Sequence, residues 1–205
     1  MSFSIGVLVS GEGSNLQALI DDLRDSEIEI SAVASSRADA RGVQRAEAAG
    51  IETRVFALAD EPDRAKRDET LAGWLEERGV ELVVLAGFME LLTPGFIRRY
   101  AGRIVNVHPA LLPAFPGLGS IEQALEYGVK VAGVTVHFVD EGVDSGPVLL
   151  QEAFELPYHR DISVTRRHFQ EVEHRLLPRA VRLIAAGRVS LDGDNPRLVR
   201  VEADG

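Results

Sequence analysis

An apolar run with two polar residues at its end opens the search for chemistry. In Arg103 to His108 (RIVNVH), alternation sends Val105 and Val107 to one face and brings Asn106 and His108 together on the other. An amide and an imidazole converging at one strand end can donate hydrogen bonds and hold a proton. The plainer reading, a histidine and an asparagine satisfied by loop backbone, fits the same spacing. Pro109 stops the strand, and Leu111, Leu112, Pro113 and Pro116 stiffen a loop suited to wall a pocket. Farther on, Val139 to Pro147 carries three carboxylates, Asp140, Glu141 and Asp144, and two glycines, Gly142 and Gly146. It reads either as an acidic hairpin loop in water or as a loop that folds Asp144 onto His108, holding the ring protonated or correctly oriented.

A second centre is the turn Gly11-Glu12-Gly13-Ser14-Asn15, which lies between an apolar run and a helical repeat. Backbone N–H groups and the helix dipole favour a phosphate there. The turn lacks the Gly-Lys-Ser/Thr of a P-loop, and it has Leu16 where the dinucleotide fingerprint needs a third glycine. The competing reading is a tight turn whose Ser14 or Asn15 caps the helix.

The elements that must carry these groups follow from hydrophobic period. Phe3 to Ser10 is a strand, followed by a helix marked by Leu16, Leu19, Ile20 and Leu23. Strands at 28–34 and 52–56 alternate with helices at 40–49 and 63–77. Next come a strand at 81–86 buried on both faces, a short helix at 94–100 and the strand at 103–108. A helix near 120–127, β-rich runs at 131–139 and 148–155 and a long helix at 161–186, with Pro178 expected to kink it, complete the body. The tail from Gly187 reads as a small surface hairpin with a frayed end. Repeated βα units imply an α/β fold, a doubly wound, mostly parallel sheet in a single domain over residues 1–205, with ligands beyond the C-terminal strand ends.

The bulk numbers narrow the class. With 205 residues, 45% hydrophobic, one domain can bury a sizeable core. The absence of cysteine excludes disulfides and thiolate zinc sites. The N-terminal apolar run is broken too early for a signal peptide or a membrane span, so a cytoplasmic protein with no membrane partner is expected. Thirty-two acidic residues against 22 Lys and Arg give a formal charge of −10, which disfavours nucleic acid while leaving room for a small anionic ligand.

Five segments in order resemble the phosphoribosylglycinamide formyltransferase family of purine synthesis. They are Ser10 to Ala18, Leu85 to Met89, Asn106 to Pro113 with Pro116-Gly117, Val136 to Val139, and Asp144 to Val148 with Gln151. The resemblance covers essentially the whole chain. It implies the formyltransferase fold, 10-formyltetrahydrofolate as co-substrate, no metal, small-molecule substrates only, and a monomer or homodimer. It makes Asn106, His108 and Asp144 the catalytic trio. Gly13, Ser14 and Asn15 would take the acceptor's phosphate, and Gln170 and Glu173, three apart on the long helix, its ribose and glycinamide end. Folate would be held by Arg64, by Met89, Glu90, Leu91 and Leu92, by Asn106, and by the loop Asp140, Glu141, Gly142, Val143 and Asp144. Two departures stand out: Leu118-Gly119-Ser120-Ile121 follows Pro116-Gly117 where relatives often carry histidine, and Glu90 stands where some have arginine.

The implied reaction passes through a tetrahedral oxyanion, which His108 as imidazolium and the Asn106 amide would stabilise while Asp144 keeps His108 charged. A formate-releasing hydrolase is the nearest rival, although such relatives carry a further N-terminal domain. A tRNA formyltransferase would add a C-terminal domain and faces the −10 charge. A non-catalytic nucleotide-binding module would use the glycine turn alone.

Overall fold

The computed structural model describes residues 2–156, 158, 159 and 161–202. The chain forms two compact units, 1–106 and 107–205. In the first, β1 (Phe3–Val9), α1 (Ser14–Leu23), β2 (Ile28–Ser35), α2 (Arg41–Ala48), β3 (Thr53–Val55), α3 (Arg64–Glu76), β4 (Leu82–Leu85) and α4 (Pro94–Arg99) alternate before β5 (Ile104–His108), in which the boundary falls. All of its strand pairings are parallel: β1 with β2 and β4, β2 with β3, and β4 with β5. Every residue of β4, and every residue of β1 after Phe3, is buried, as uninterrupted apolar runs require when helices flank the sheet.

Helix boundaries follow local chemistry. The Asp63 carboxylate caps α3 by accepting from the amides of Ala65 (3.0 Å) and Lys66 (3.3 Å). Pro94, which has no N–H to waste, opens α4. The chain runs from β1 outward to β2 and β3, then returns to the other side of β1 for β4 and β5. The order therefore reverses between β1 and β4, and open α/β sheets keep their ligand crevice at such a reversal.

The second unit holds α5 (Ser120–Tyr127), β6 (Val131–Phe138), β7 (Val148–Glu155), α6 (Ile162–Ala185), β8 (Val189–Leu191) and β9 (Val199–Val201). β6 and β7 pair antiparallel, and α6 packs on both. Phe154 of β7 meets Phe169 of α6 edge to face, with ring centroids 4.9 Å apart. Pro178 lies inside α6 without ending it. β8 and β9 form the expected tail hairpin, whose last residues fall outside the described set. The larger sheet has the strand order β3-β2-β1-β4-β5-β6-β7, so the fold is the expected α/β type with a mostly parallel sheet.

Candidate active site

His108 is the last residue of β5 and is 5% exposed. Its Nε2 lies 2.9 Å from the Phe115 carbonyl, and its Nδ1 lies 3.3 Å from Asp144 Oδ2. Both ring nitrogens thus face acceptors, an arrangement that an imidazolium satisfies with two N–H donors. Of the two readings of the acidic loop, the structure has the one that places Asp144 on His108. Asn106 lies two residues earlier on the same strand, and the pleat gives the two side chains one face.

Asp144 has a second partner. His137, 2% exposed in β6, puts Nε2 3.6 Å from Asp144 Oδ1 and turns Nδ1 toward the Phe138 carbonyl at 2.8 Å. The Gly117 amide donates to Asp144 Oδ2 at 2.7 Å. Burial alone would raise the pKa of this carboxyl, but the contact with His137, the Gly117 amide and the charges of both histidines outweigh it and hold the pKa below the usual carboxylate range. Asp144 is therefore an ionised group clasped between two imidazoles. Thr135 and His137 repeat in β6 the two-apart polar pattern of Asn106 and His108, a signal for His137 that is visible in the sequence.

The loops around this cluster are tied down. Thr135 Oγ1 donates to the Ala110 carbonyl (2.6 Å) and accepts from the Leu112 amide (3.1 Å) and from Gln151 Nε2 (3.0 Å), which also reaches the Leu112 carbonyl (2.9 Å). These bonds fix the segment that follows His108. In the acidic loop, Asp140 Oδ1 accepts from Ser145 Oγ (2.7 Å) and the Gly142 amide (3.0 Å), while Asp144 itself sits at φ +49°. Gly146 is required there, because a Cβ would lie 1.8 Å from the Phe138 carbonyl oxygen. Glu141 and Val143 are exposed on the same loop.

The first unit carries the glycine turn at the β1–β4 reversal. Gly13, at φ +69°, is the N-cap of α1 and supplies no side-chain cap. Helix α1 begins at Ser14, so neither Ser14 nor Asn15 is the N-cap, and that alternative is set aside. An N-terminus without a side-chain cap suits an anion. Arg45 pins the turn by donating to the Glu12 carbonyl (2.8 Å) and to Gln17 (3.1 Å). Beside it, buried Ser10 joins β1 to the exit of β4: its Oγ accepts from the Met89 amide at 2.9 Å and lies 2.7 Å from Ser36 Oγ.

The expected folate residues of this unit divide in two. Arg64 is exposed at the start of α3, and Met89 and Leu91 are exposed with Leu92 buried. Glu90 is paired with Arg67, whose guanidinium also binds Asp68 (3.0 and 2.7 Å), and Asp68 in turn accepts the Thr93 amide at 2.7 Å. Burial works against the Arg67 charge, but Glu90 and Asp68 raise its pKa overall. Glu90 is thus tethered to a buried cation that its position in a charged helix does not reveal. On α6 of the second unit, Gln170 is exposed and Glu173 buried, so Glu173 does not belong to a solvated face.

Among the described residues, no group of three or more His, Asp or Glu is placed to hold a metal ion, and no helix is long and apolar enough to cross a membrane.

Residues 4–181 match the formyl transferase family model. The phosphoribosylglycinamide formyltransferase of Haemophilus influenzae is 38% identical over 91% of this chain and 89% of its own length. The human trifunctional purine biosynthetic protein adenosine-3 is 42% identical over 98% of the chain, which spans only 20% of that protein. The crystal structure of glycinamide ribonucleotide transformylase 1 from Symbiobacterium toebii superposes with a TM-score of 0.93 at 46% identity, covering 98% of this chain and 94% of that one. A buried strand-end histidine locked to a loop aspartate, an uncapped glycine turn at the sheet's reversal point and these matches over nearly the full length agree: the chain belongs to the formyl transferase family, among the phosphoribosylglycinamide formyltransferases.

Proposed function

We propose that this chain transfers the formyl group of 10-formyltetrahydrofolate to the amine of 5-phosphoribosylglycinamide in purine biosynthesis, giving formylglycinamide ribonucleotide and tetrahydrofolate. The observation that carries the reading is the ionised Asp144 held against His108 at the end of β5. The substrate amine attacks the formyl carbon, the carbonyl oxygen becomes an oxyanion, and the adduct collapses by breaking the bond to N10 of the folate. His108 meets the oxyanion by exchanging its bond to the Phe115 carbonyl for one to the adduct, and the Asn106 amide donates beside it. Asp144 keeps the ring charged and relays the amine proton through water to N10, which leaves protonated as tetrahydrofolate.

The acceptor's phosphate lies on the amides of Gly13, Ser14 and Asn15, and Gln170 and Glu173 hold its ribose and glycinamide end. Folate is held by Arg64, by the Met89 to Leu92 segment through backbone contacts, and by the Asp140 to Asp144 loop. The tethering of Glu90 to Arg67 supports the backbone role, because it takes the carboxylate out of competition for the ligand. Both substrates are small molecules, and the protein works in the cytoplasm.

The test is an assay of purified protein with 10-formyltetrahydrofolate, with and without the ribonucleotide. Formyl transfer that requires the acceptor is expected. Formate release at the same rate without it would establish a hydrolase instead.

A further inference from the structure

The family match ends at residue 181, and the chain continues past α6 into a hairpin that returns to the loop carrying Asp144. This hairpin is a built element. β8 and β9 pair in register from Val189–Val201 to Leu191–Val199, and β9 lies against β7. Its turn is closed by Asp192, whose Oδ1 accepts from the amides of Asp194 (2.9 Å) and Asn195 (3.0 Å) while Oδ2 pairs with Arg200. Asn195 Oδ1 then accepts the Arg197 amide at 3.1 Å, so the backbone of Arg197 is fixed by its own turn.

From that anchor the Arg197 guanidinium donates through Nη1 to the Ser145 carbonyl at 2.9 Å. Ser145 follows Asp144 directly, and its peptide with Gly146 is wedged on the other side, where Gly146 packs against the Phe138 carbonyl too closely for any Cβ. Asp144 sits in the left-handed region at φ +49°, a conformation uncommon in non-glycine residues though tolerated by aspartate, and its neighbours hold it there. The Gly117 amide restrains the carboxylate, Asp140 restrains Ser145 Oγ, and Arg197 restrains the carbonyl. A permanently charged planar donor suits this task, since it makes a strong, directional bond whatever the pH.

We propose that Arg197 is a positioning residue: by clamping the Ser145 carbonyl from the C-terminal hairpin, it holds Asp144 in the orientation that meets His108 and His137. The kinetic consequence rests on the formyl-transfer reading above, whereas the clamp does not.

Hydrogen exchange of the full-length protein therefore comes first, comparing the parent with Arg197→Ala and Arg197→Lys. Loss of one such bond should speed exchange of amides within 141–147 by about 3- to 10-fold in Arg197→Ala, with the thermal midpoint essentially kept and part of the protection restored in Arg197→Lys. Turnover with both substrates should fall by a similar factor while the KM for the ribonucleotide stays unchanged. Unaltered exchange in 141–147 overturns the clamp. Faster exchange with unaltered turnover overturns the positioning role, as does a general loosening of β6 to β9 with a lowered midpoint and both KM values raised. If the parent transfers no formyl group, the functional reading fails by itself, and the exchange comparison still decides whether the clamp exists.

Discussion

At Asp144 one carboxylate is asked to serve two imidazoles. It lies 3.3 Å from His108 and 3.6 Å from His137, and its depressed pKa keeps it charged throughout the neutral range. If it acts through His108, Asp144→Asn should lower turnover strongly while both substrates still bind. His108→Ala should cost at least as much, about 10²- to 10³-fold for the loss of one oxyanion donor. The two act as a unit, so the double variant should be little worse than His108→Ala alone; fully multiplicative losses in that cycle would show separate roles. Stability should carry the same signature. A carboxyl whose folded pKa lies below its unfolded value, about 3.9, stabilises above that value and ceases to do so as pH falls through the folded pKa. Urea midpoints of the parent and Asp144→Asn should therefore differ from pH 7 down to about 5 and begin to converge only below about 4, as pH falls through the folded pKa. A gap that fails to narrow at all as the pH is lowered below about 4 would assign the stabilisation to packing instead of charge.

At the scale of elements, the turn between β1 and α1 is close-packed and needs a glycine's left-handed backbone before it can bind anything. A Cβ on Gly13 would lie 2.5 Å from Gly42 Cα in α2, at a φ of +69°. Gly13→Val should therefore lower the thermal midpoint by several degrees and disturb both substrates, which makes it a test of the fold. Ser14→Pro is the discriminating change, because proline is tolerated at the first helical position and deletes a single amide. It should raise the KM for the ribonucleotide about tenfold and leave that for folate unchanged, as expected for one lost bond to a charged group. Equal weakening of both ligands would make the turn structural. The elements themselves were largely legible in the sequence. Apolar runs and turn residues placed α5 and β7 at their observed bounds and most others within a residue, because helical period, strand alternation and the glycines and prolines between them leave a local signature. What stayed hidden depends on contacts between distant segments: the packing of Gly13 on Gly42, the Arg67 tether of Glu90, the contact of His137 with Asp144, and the reach of Arg197. Arg67 is the clearest case, for an arginine in a charged helix reads as solvated until a facing carboxylate is known to bury it.

For the whole molecule, charge sets a condition on catalysis that no single residue reveals. The chain carries a formal −10, yet the proposed acceptor is a phosphate ester and the proposed donor a carboxylate. At long range such ligands would be repelled, whereas at contact the proposed acceptor's phosphate would meet the peptide dipoles of the α1 N-terminus, which salt screens far less than the field of separated surface charges. Raising ionic strength from about 10 to 100 mM shortens the Debye length from about 30 to 10 Å, which removes much of the repulsion before it damages the contact. The kcat/KM for the ribonucleotide should then rise by about two- to fivefold, with kcat nearly constant, in initial rates measured across a sodium chloride series at fixed pH. A basic site would behave oppositely. Beside the turn, Arg24, Arg41 and Arg45 line a cavity of about 340 Å³ between α1 and α2, but Arg24 and Arg41 face Asp21 and Glu12, and Arg45 is spent on the Glu12 carbonyl and Gln17. If kcat/KM instead fell steeply with salt, those arginines would be steering the phosphate, and the dipole account of the turn would have to yield to one based on their charge.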